Sequence, residues 1–283
     1  MATLLEKNGR EAGHSTTAAD RVLTVAGARL RYREAGAGPA LLLIHGWTLD
    51  LDMWESQARE LCDSFRVIRH DRRGFGLSTG CPSLADDVAD VFALCEHLRV
   101  RSVALLGMSQ GARVAAHVAA KRPELVSHVI FDGAPAGVVL EDPEPQNDIP
   151  IAQYRQLARS RELTEFRRAW SQHPLTRLHT QDGPTRQLLQ RMLERYRAED
   201  LQLSTAEAPA PSPSPQPAAI RAPALVISGA LDLESRIRAA EALAQALPSN
   251  RRAVIPAAGH MPNLDNPQTY NIELRKFLQP DTR

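Results

Sequence analysis

Ser102-Val103-Ala104-Leu105-Leu106 runs directly into Gly107-Met108-Ser109-Gln110-Gly111, and an alanine-rich stretch from Ala112 to Ala120 follows. A short apolar strand that ends in G-x-S-x-G and passes into a helix has the pattern of a nucleophile elbow. Such a turn is sharp and strained, and a side chain two residues either side of the serine would collide with the strand or the helix packed there. Glycines at 107 and 111 remove that conflict. The helix after Ser109 adds its N-terminal dipole and a free amide on Gln110, directed to where an oxyanion would form.

A serine hydroxyl becomes a useful nucleophile when a histidine takes its proton and an acid orients that histidine. On chains built around such an elbow the order is serine, acid, histidine. The C-terminal third carries both partners. Ala222-Pro223-Ala224-Leu225-Val226-Ile227-Ser228-Gly229 is expected to be a buried strand, with Asp232 just past its end. Arg252-Ala253-Val254-Ile255-Pro256 is expected to be another, followed by Ala257-Ala258-Gly259-His260. Three groups at the carboxyl ends of three strands would face one crevice, where open parallel sheets bind ligands.

Upstream, the apolar run Ala40-Leu41-Leu42-Leu43-Ile44 ends in His45-Gly46-Trp47. With Asp71-Arg72-Arg73-Gly74-Phe75-Gly76-Leu77-Ser78, the elbow and Gly259-His260, four separately placed motifs stand in one order. From residue 22 to 278 the chain resembles the α/β-hydrolase superfamily, nearest to its small bacterial esterases, enol-lactonases and carrier-protein methyl ester esterases. The resemblance implies an α/β fold, mostly parallel and doubly wound, with an inserted helical cap. It also implies a serine hydrolase that cleaves a carboxylic ester or lactone with Ser109, Asp232 and His260 as catalytic residues and no metal or organic cofactor. The backbone N–H groups of Trp47 and Gln110 would form the oxyanion hole. Asp132, after the strand Val129-Ile130-Phe131, is a second candidate for the acid; Asp232 matches the commoner family arrangement. Departures are mild: Ala112 follows Gly111 where a second glycine is common, and Asp265 stands where a glutamate is common. Carbon–carbon bond hydrolysis and cofactor-free haloperoxidase chemistry use the same triad, and a non-catalytic small-molecule receptor on this fold is the alternative from another class.

Composition agrees with a globular enzyme and excludes other classes. The 283 residues are 43% hydrophobic and 24% charged, ordinary values for a folded domain. A net charge of +1 gives no long-range attraction to nucleic acid or an anionic membrane. Residues 1–20 hold no apolar stretch of signal-peptide length and no segment reaches membrane-spanning length, so a cytoplasmic location is expected. Cys62, Cys81 and Cys95 are odd in number and widely spaced, which suits neither a disulfide framework nor a zinc site. The expected partner is a small-molecule ester or lactone, with the oligomeric state left open.

Periodicity divides the chain. Residues 1–20 read as a polar tail. Arg21–Val25 and Arg29–Arg33 alternate around Ala26-Gly27 and are expected to pair antiparallel at a sheet edge. Leu84, Val88, Val91, Cys95 and Leu98 share one helical face, with Ser83 placed to cap it. Strand and helix alternate over 21–136 and 218–283, which form the expected core. Residues 137–207 show helical patterns without a strand and are expected to form the cap. The proline-rich stretch 208–217 would be a stiff connector. Trp47, Phe166 and Trp170 are candidates for the substrate pocket. Arg155, Arg159, Arg161, Arg167 and Arg168 crowd the cap, where such runs are mostly solvated faces. His45 is expected to brace the oxyanion loop, and His70 to end a strand. Asp71–Gly76 lacks the lysine and glycine spacing of a phosphate loop and is expected to form tight turns.

Overall fold

The computed structural model describes residues 18–134, 137–138, 149–203 and 213–279. Its centre is one sheet of eight strands: β1 (Arg21–Val25), β2 (Ala28–Ala35), β3 (Ala40–Ile44), β4 (Arg66–His70), β5 (Val103–Met108), β6 (Val126–Asp132), β7 (Ala224–Gly229) and β8 (Asn250–Ile255). Their order across the sheet is β1-β2-β4-β3-β5-β6-β7-β8. β1 pairs antiparallel with β2, and β2 antiparallel with β4; all other pairs are parallel. This is an α/β-hydrolase fold, and the edge pair expected from the alternation at 21–33 is in place, with Arg21 opposite Tyr32.

The inner strands read as unbroken apolar runs because helices cover both faces. Leu41, Leu43, Ala104, Leu106, Ile130, Leu225 and Ile227 point into one core, shared with Trp54, Ala58, Tyr270 and Phe277. Leu42, Ile44, Leu105, Val129, Phe131 and Val226 point into the other, shared with Val88, Val91, Val114, Ala115 and Leu243. The helices behind these contacts include α1 (Glu55–Leu61), α2 (Leu84–His97) and α3 (Gln110–Lys121). Four more, α4 (Ile151–Arg159), α5 (Leu163–Ser171), α6 (Gly183–Arg195) and α7 (Glu199–Gln202), lie between β6 and β7. After them come α8 (Glu234–Ala246), α9 (Pro262–Asp265) and α10 (Pro267–Leu278). Ser83 caps α2, accepting the N–H of Asp86. In α3, Ala112, Ala115, Ala116 and Ala119 are at most 1% exposed, so the helix lies close on the sheet.

Between β6 and β7 the described residues contain helices and no strand. Tyr154, Phe166, Trp170, Met192 and Tyr196 of this segment join the core on the Leu43 face of the sheet. Polar anchors reinforce the docking. Arg195 bridges Asp50 at 2.6 Å and Asp52 at 2.7 Å, and Arg197 donates to the carbonyls of Gly76 and Ser78. Residues 139–148 and 204–212, part of the expected cap and half of the expected connector, lie outside the described residues, as do residues 1–17 of the expected tail. No described helix is long and apolar enough to cross a membrane.

Candidate active site

Ser109 has φ 51° and ψ −114°, a backbone conformation that a residue with a side chain adopts only when its surroundings impose it. The constraints are visible. Its N–H is bound to the carbonyl of Asp132 at 2.8 Å. A Cβ on Gly107 would lie 2.2 Å from the Gly111 carbonyl oxygen, and one on Gly111 would lie 2.3 Å from that of Ile44. Both obstacles are backbone, so glycine is required at each position. Gln110 opens α3 directly after the serine, and its N–H is one of the first-turn amides without an intrahelical acceptor.

The loop after β3 packs against this turn, since a Cβ on Gly46 would sit 3.4 Å from Ser109 Cβ. His45 braces that loop. Its Nδ1 lies 2.7 Å from the Gly46 carbonyl, and its Nε2 accepts the Arg72 N–H at 2.9 Å. Burial, with the Arg72 charge adding, holds His45 well below the ordinary histidine pKa. The ring is therefore neutral, and its hydrogen-bond partners assign the proton to Nδ1. The Arg72 guanidinium donates to Asp87 Oδ2 at 2.9 and 2.7 Å and to Gln110 Oε1 at 3.2 Å. Through its backbone and its side chain, Arg72 thus contacts both the loop after β3 and the first residue of α3, next to Ser109.

His260 and Asp232 meet at the carboxyl end of the sheet, with Nδ1 2.9 Å from Oδ2 and side chains 5% and 1% exposed. The other oxygen of Asp232 accepts the Leu233 N–H at 2.7 Å, so both oxygens are engaged. A Cβ on Gly133 would lie 3.1 Å from His260 Cε1. Ser109 and His260 therefore both adjoin the Asp132–Gly133 junction. Asp132, the second candidate acid, is elsewhere engaged: Tyr270 Oη donates to its Oδ2 at 2.9 Å. Burial, with the nearby Asp232 charge, pushes the Asp132 pKa well above the usual carboxylate range despite that hydrogen bond.

Trp47, Phe166 and Trp170 are brought together. The Trp47 ring centroid is 4.8 Å from that of Trp170 and 6.3 Å from that of Phe166, and Tyr154 and Tyr196 close the same cluster. Polar contacts orient the two indoles. Trp47 Nε1 donates to Asp200 Oδ2 at 2.7 Å, and Trp170 Nε1 to Thr48 Oγ1 at 2.8 Å. Tyr196 Oη also donates to Asp200, whose pKa is raised by burial. The contacts of Asp200 with Trp47, Thr48 with Trp170 and Tyr270 with Asp132 carried no local signal, because each spans more than a hundred residues.

Several arginines of the helical segment are engaged within it: Arg168 with Glu165, Arg159 with the Leu203 carbonyl and Arg167 with the Tyr196 carbonyl. A groove of about 930 Å3, lined by Arg167, Arg177, Arg186 and Leu189 among others, runs along α5 and α6. Among the described residues no group of three or more His, Cys, Asp or Glu gathers as a metal site would require.

Residues 39–267 match the family model for the alpha/beta hydrolase fold. The chain belongs to that family. The α/β hydrolase is 26% identical to a pimeloyl-[acyl-carrier protein] methyl ester esterase of Vibrio campbellii, over 88% of this chain and 98% of that one. Among solved structures it resembles a thermophilic esterase from Thermogutta terrifontis, with 28% identity and TM-score 0.77, over 93% and 98% of the two chains. An enol-lactonase from Burkholderia xenovorans gives 25% identity and TM-score 0.72, over 91% and 99%. The α/β hydrolase is thus of the esterase and lactonase type.

Proposed function

We propose that the protein is a serine hydrolase that cleaves a carboxylic ester or lactone through an acyl-enzyme on Ser109. The observation that carries this reading is the 2.9 Å contact of His260 Nδ1 with Asp232 Oδ2 beside a serine held at positive φ. Asp232 fixes the imidazole with its proton on Nδ1, which leaves Nε2 as the base. Nε2 takes the Ser109 proton as Oγ attacks the ester carbonyl. The N–H groups of Trp47 and Gln110 receive the developing oxyanion. In such sites one donor is worth about 10²–10³ in turnover. The imidazolium then protonates the departing alkoxide, which leaves the acyl group on Oγ. Water, deprotonated by the same Nε2, attacks the acyl carbonyl, and collapse of the second tetrahedral intermediate releases the acid and returns the proton to Ser109.

The helical segment 137–207 acts in this reading as a cap that selects substrate, with Trp47, Phe166 and Trp170 forming the apolar wall next to the oxyanion loop. Their packing against one another, with Phe166 and Trp170 on the helical segment and Trp47 on the loop after β3, supports that role.

Hydrolysis of a panel of acyl esters of graded chain length and of lactones tests the reading. At least one class is expected to turn over in wild type and to lose turnover in Ser109→Ala. Peroxide-dependent bromination without any ester or lactone hydrolysis would replace this reading with the haloperoxidase one. Saturable ligand binding without turnover would replace it with a receptor.

A further inference from the structure

The loop that carries His260 is held from the far side by a carboxylate. Asp265 Oδ2 accepts the N–H of Gly259, the residue before the histidine, at 2.8 Å. Its Oδ1 accepts the N–H groups of His179 at 2.6 Å and Thr180 at 3.0 Å. These two belong to the extended stretch between α5 and α6, in the helical segment. One buried carboxylate, 8% exposed, thus joins three backbone donors from two stretches of chain about eighty residues apart.

Two further features make the joint rigid. The N–H groups of Leu264 and Asp265 both donate to the Met261 carbonyl at 3.0 Å, so α9 fixes the carboxylate relative to the residue after His260. A Cβ on Gly259 would stand 2.9 Å from His179 Cδ2 and 3.0 Å from Nε2, so the segment lies directly on the histidine loop. A methyl group there would oblige the His179 ring to move.

We propose that Asp265 is a positioning residue that couples docking of the extended stretch 177–180, between α5 and α6, to the seating of His260. The inference rests on the reading of His260 as the catalytic base. The site presents three backbone N–H donors, and the two carboxyl oxygens of Asp265 accept all of them. Asparagine would turn an NH2 group towards one set of backbone N–H groups and break one half of the joint. Glutamate would push the two stretches apart by the length of a methylene group. When the segment shifts to admit or release substrate, the strain passes through Asp265 to Gly259 and then to the imidazole.

Amide hydrogen exchange on the full chain tests the joint whether or not a substrate is known. In wild type the amides of His179, Thr180 and Gly259 are expected to open together, with similar protection. In Asp265→Asn, exchange should rise in both 177–180 and 257–261 while the circular dichroism spectrum is kept. With an ester that wild type cleaves, kcat should fall towards the ~10²-fold that a misplacement of about 1 Å costs, with KM changed far less. The pH profile of kcat/KM should shift, a change that loss of packing alone would not produce. Asp265→Glu should lie between wild type and Asp265→Asn in both readouts. Unequal protection of the three wild-type amides, or loosening of one stretch alone, would overturn the proposal even if a variant fails to fold. Wild-type kcat and an unmoved pH profile in a folded Asp265→Asn protein would also overturn it. Absence of ester, lactone and Ser109 labelling activity in wild type would instead sink the hydrolase reading and leave the exchange result to judge the joint.

Discussion

Asp132 ends β6 and Asp232 lies just past the end of the adjacent parallel β7, yet their carboxylates face different partners: Asp132 accepts from Tyr270 Oη at 2.9 Å and Asp232 meets His260 Nδ1 at 2.9 Å. Asp132 is fully buried and favours its protonated form, whereas Asp232 has both oxygens turned to donors. An asparagine at 232 keeps the shape but removes the charge that stabilises an imidazolium. Turnover of Asp232→Asn should fall by several orders of magnitude, near the ~10⁴ known for the serine-protease triad. Asp132→Asn should lose tenfold or less, roughly the effect of disturbed packing. Steady-state rates with circular dichroism as a fold control check the ranking.

The same pair gives a pH test of stability. Burial raises the folded-state pKa of Asp132, so the folded protein holds a proton that the unfolded chain loses above about pH 4. Its presence therefore costs more stability as pH rises towards the folded-state value. Asp132→Asn removes that cost. The midpoint of thermal unfolding of the variant, relative to wild type, should climb between pH 4 and pH 8, and a flat or falling difference would show the buried carboxyl to be ionised.

His70 is expected to act on the acid side. It is buried at the end of β4 with neither ring nitrogen hydrogen-bonded, and desolvation lowers its pKa from 6.5 to about 4. The unfolded chain thus binds a proton first as pH falls. Stability from the neutral ring is present above pH 6.5 and is lost through the window from 6.5 to about 4, by about 3 kcal/mol in all. Asp71, raised to about 6, works in the opposite direction in part of that window, so wild type alone does not isolate His70. His70→Phe keeps a planar ring and removes the proton site. Denaturant midpoints of the two proteins should diverge in favour of the variant as pH drops from 7 to 4.

At the elbow, the backbone contacts of Gly107 and Gly111 leave no room for a methyl group. Gly107→Ala and Gly111→Ala should each destabilise the fold by about 1–3 kcal/mol or more and slow reaction of Ser109 with any serine-directed reagent. Gly183→Ala, where a Cβ meets nothing within 4 Å, is the control and should leave both properties near wild type. Thermal melts and labelling rates of the three variants give the comparison.

The aromatic cluster yields a selectivity test. Alanine at Phe166 or Trp170 would open a cavity worth about 3–5 kcal/mol and confuse stability with function. Phe166→Leu and Trp170→Phe are milder; the second also removes the hydrogen bond to Thr48. Both should shift the preferred acyl length while Ser109 keeps its reactivity. An unchanged chain-length profile in both would place the substrate wall elsewhere.

Much of this architecture was legible in the sequence because it is written in short range. Ala40–Ile44 needed only its apolar run to be read as a strand, and Ser109 needed only two glycines and the strand before it. The alanines after Ser109 likewise announced a helix lying close on the sheet. Other determinants have no local signature. Asp265 stands in sequence only as an aspartate where a glutamate is common; its bonds to His179, Thr180 and Gly259 arise from the folded chain. Asp200 and Trp47 are 153 residues apart, so only the docked helical segment brings carboxylate and indole together. The choice between Asp132 and Asp232 had the same origin, since strand position alone places both near the histidine and only Tyr270, 138 residues on, occupies one of them.

Ser109 as the reactive residue is the centre of the account, and covalent labelling tests it most directly. Wild type treated with a fluorophosphonate should gain the mass of one adduct, mapped by peptide sequencing to Ser109, and Ser109→Ala should gain none. A His260→Ala protein should label far more slowly, because Nε2 no longer takes the serine proton. An adduct that persists in Ser109→Ala, or a wild-type protein that stays unlabelled while folded, would contradict the account.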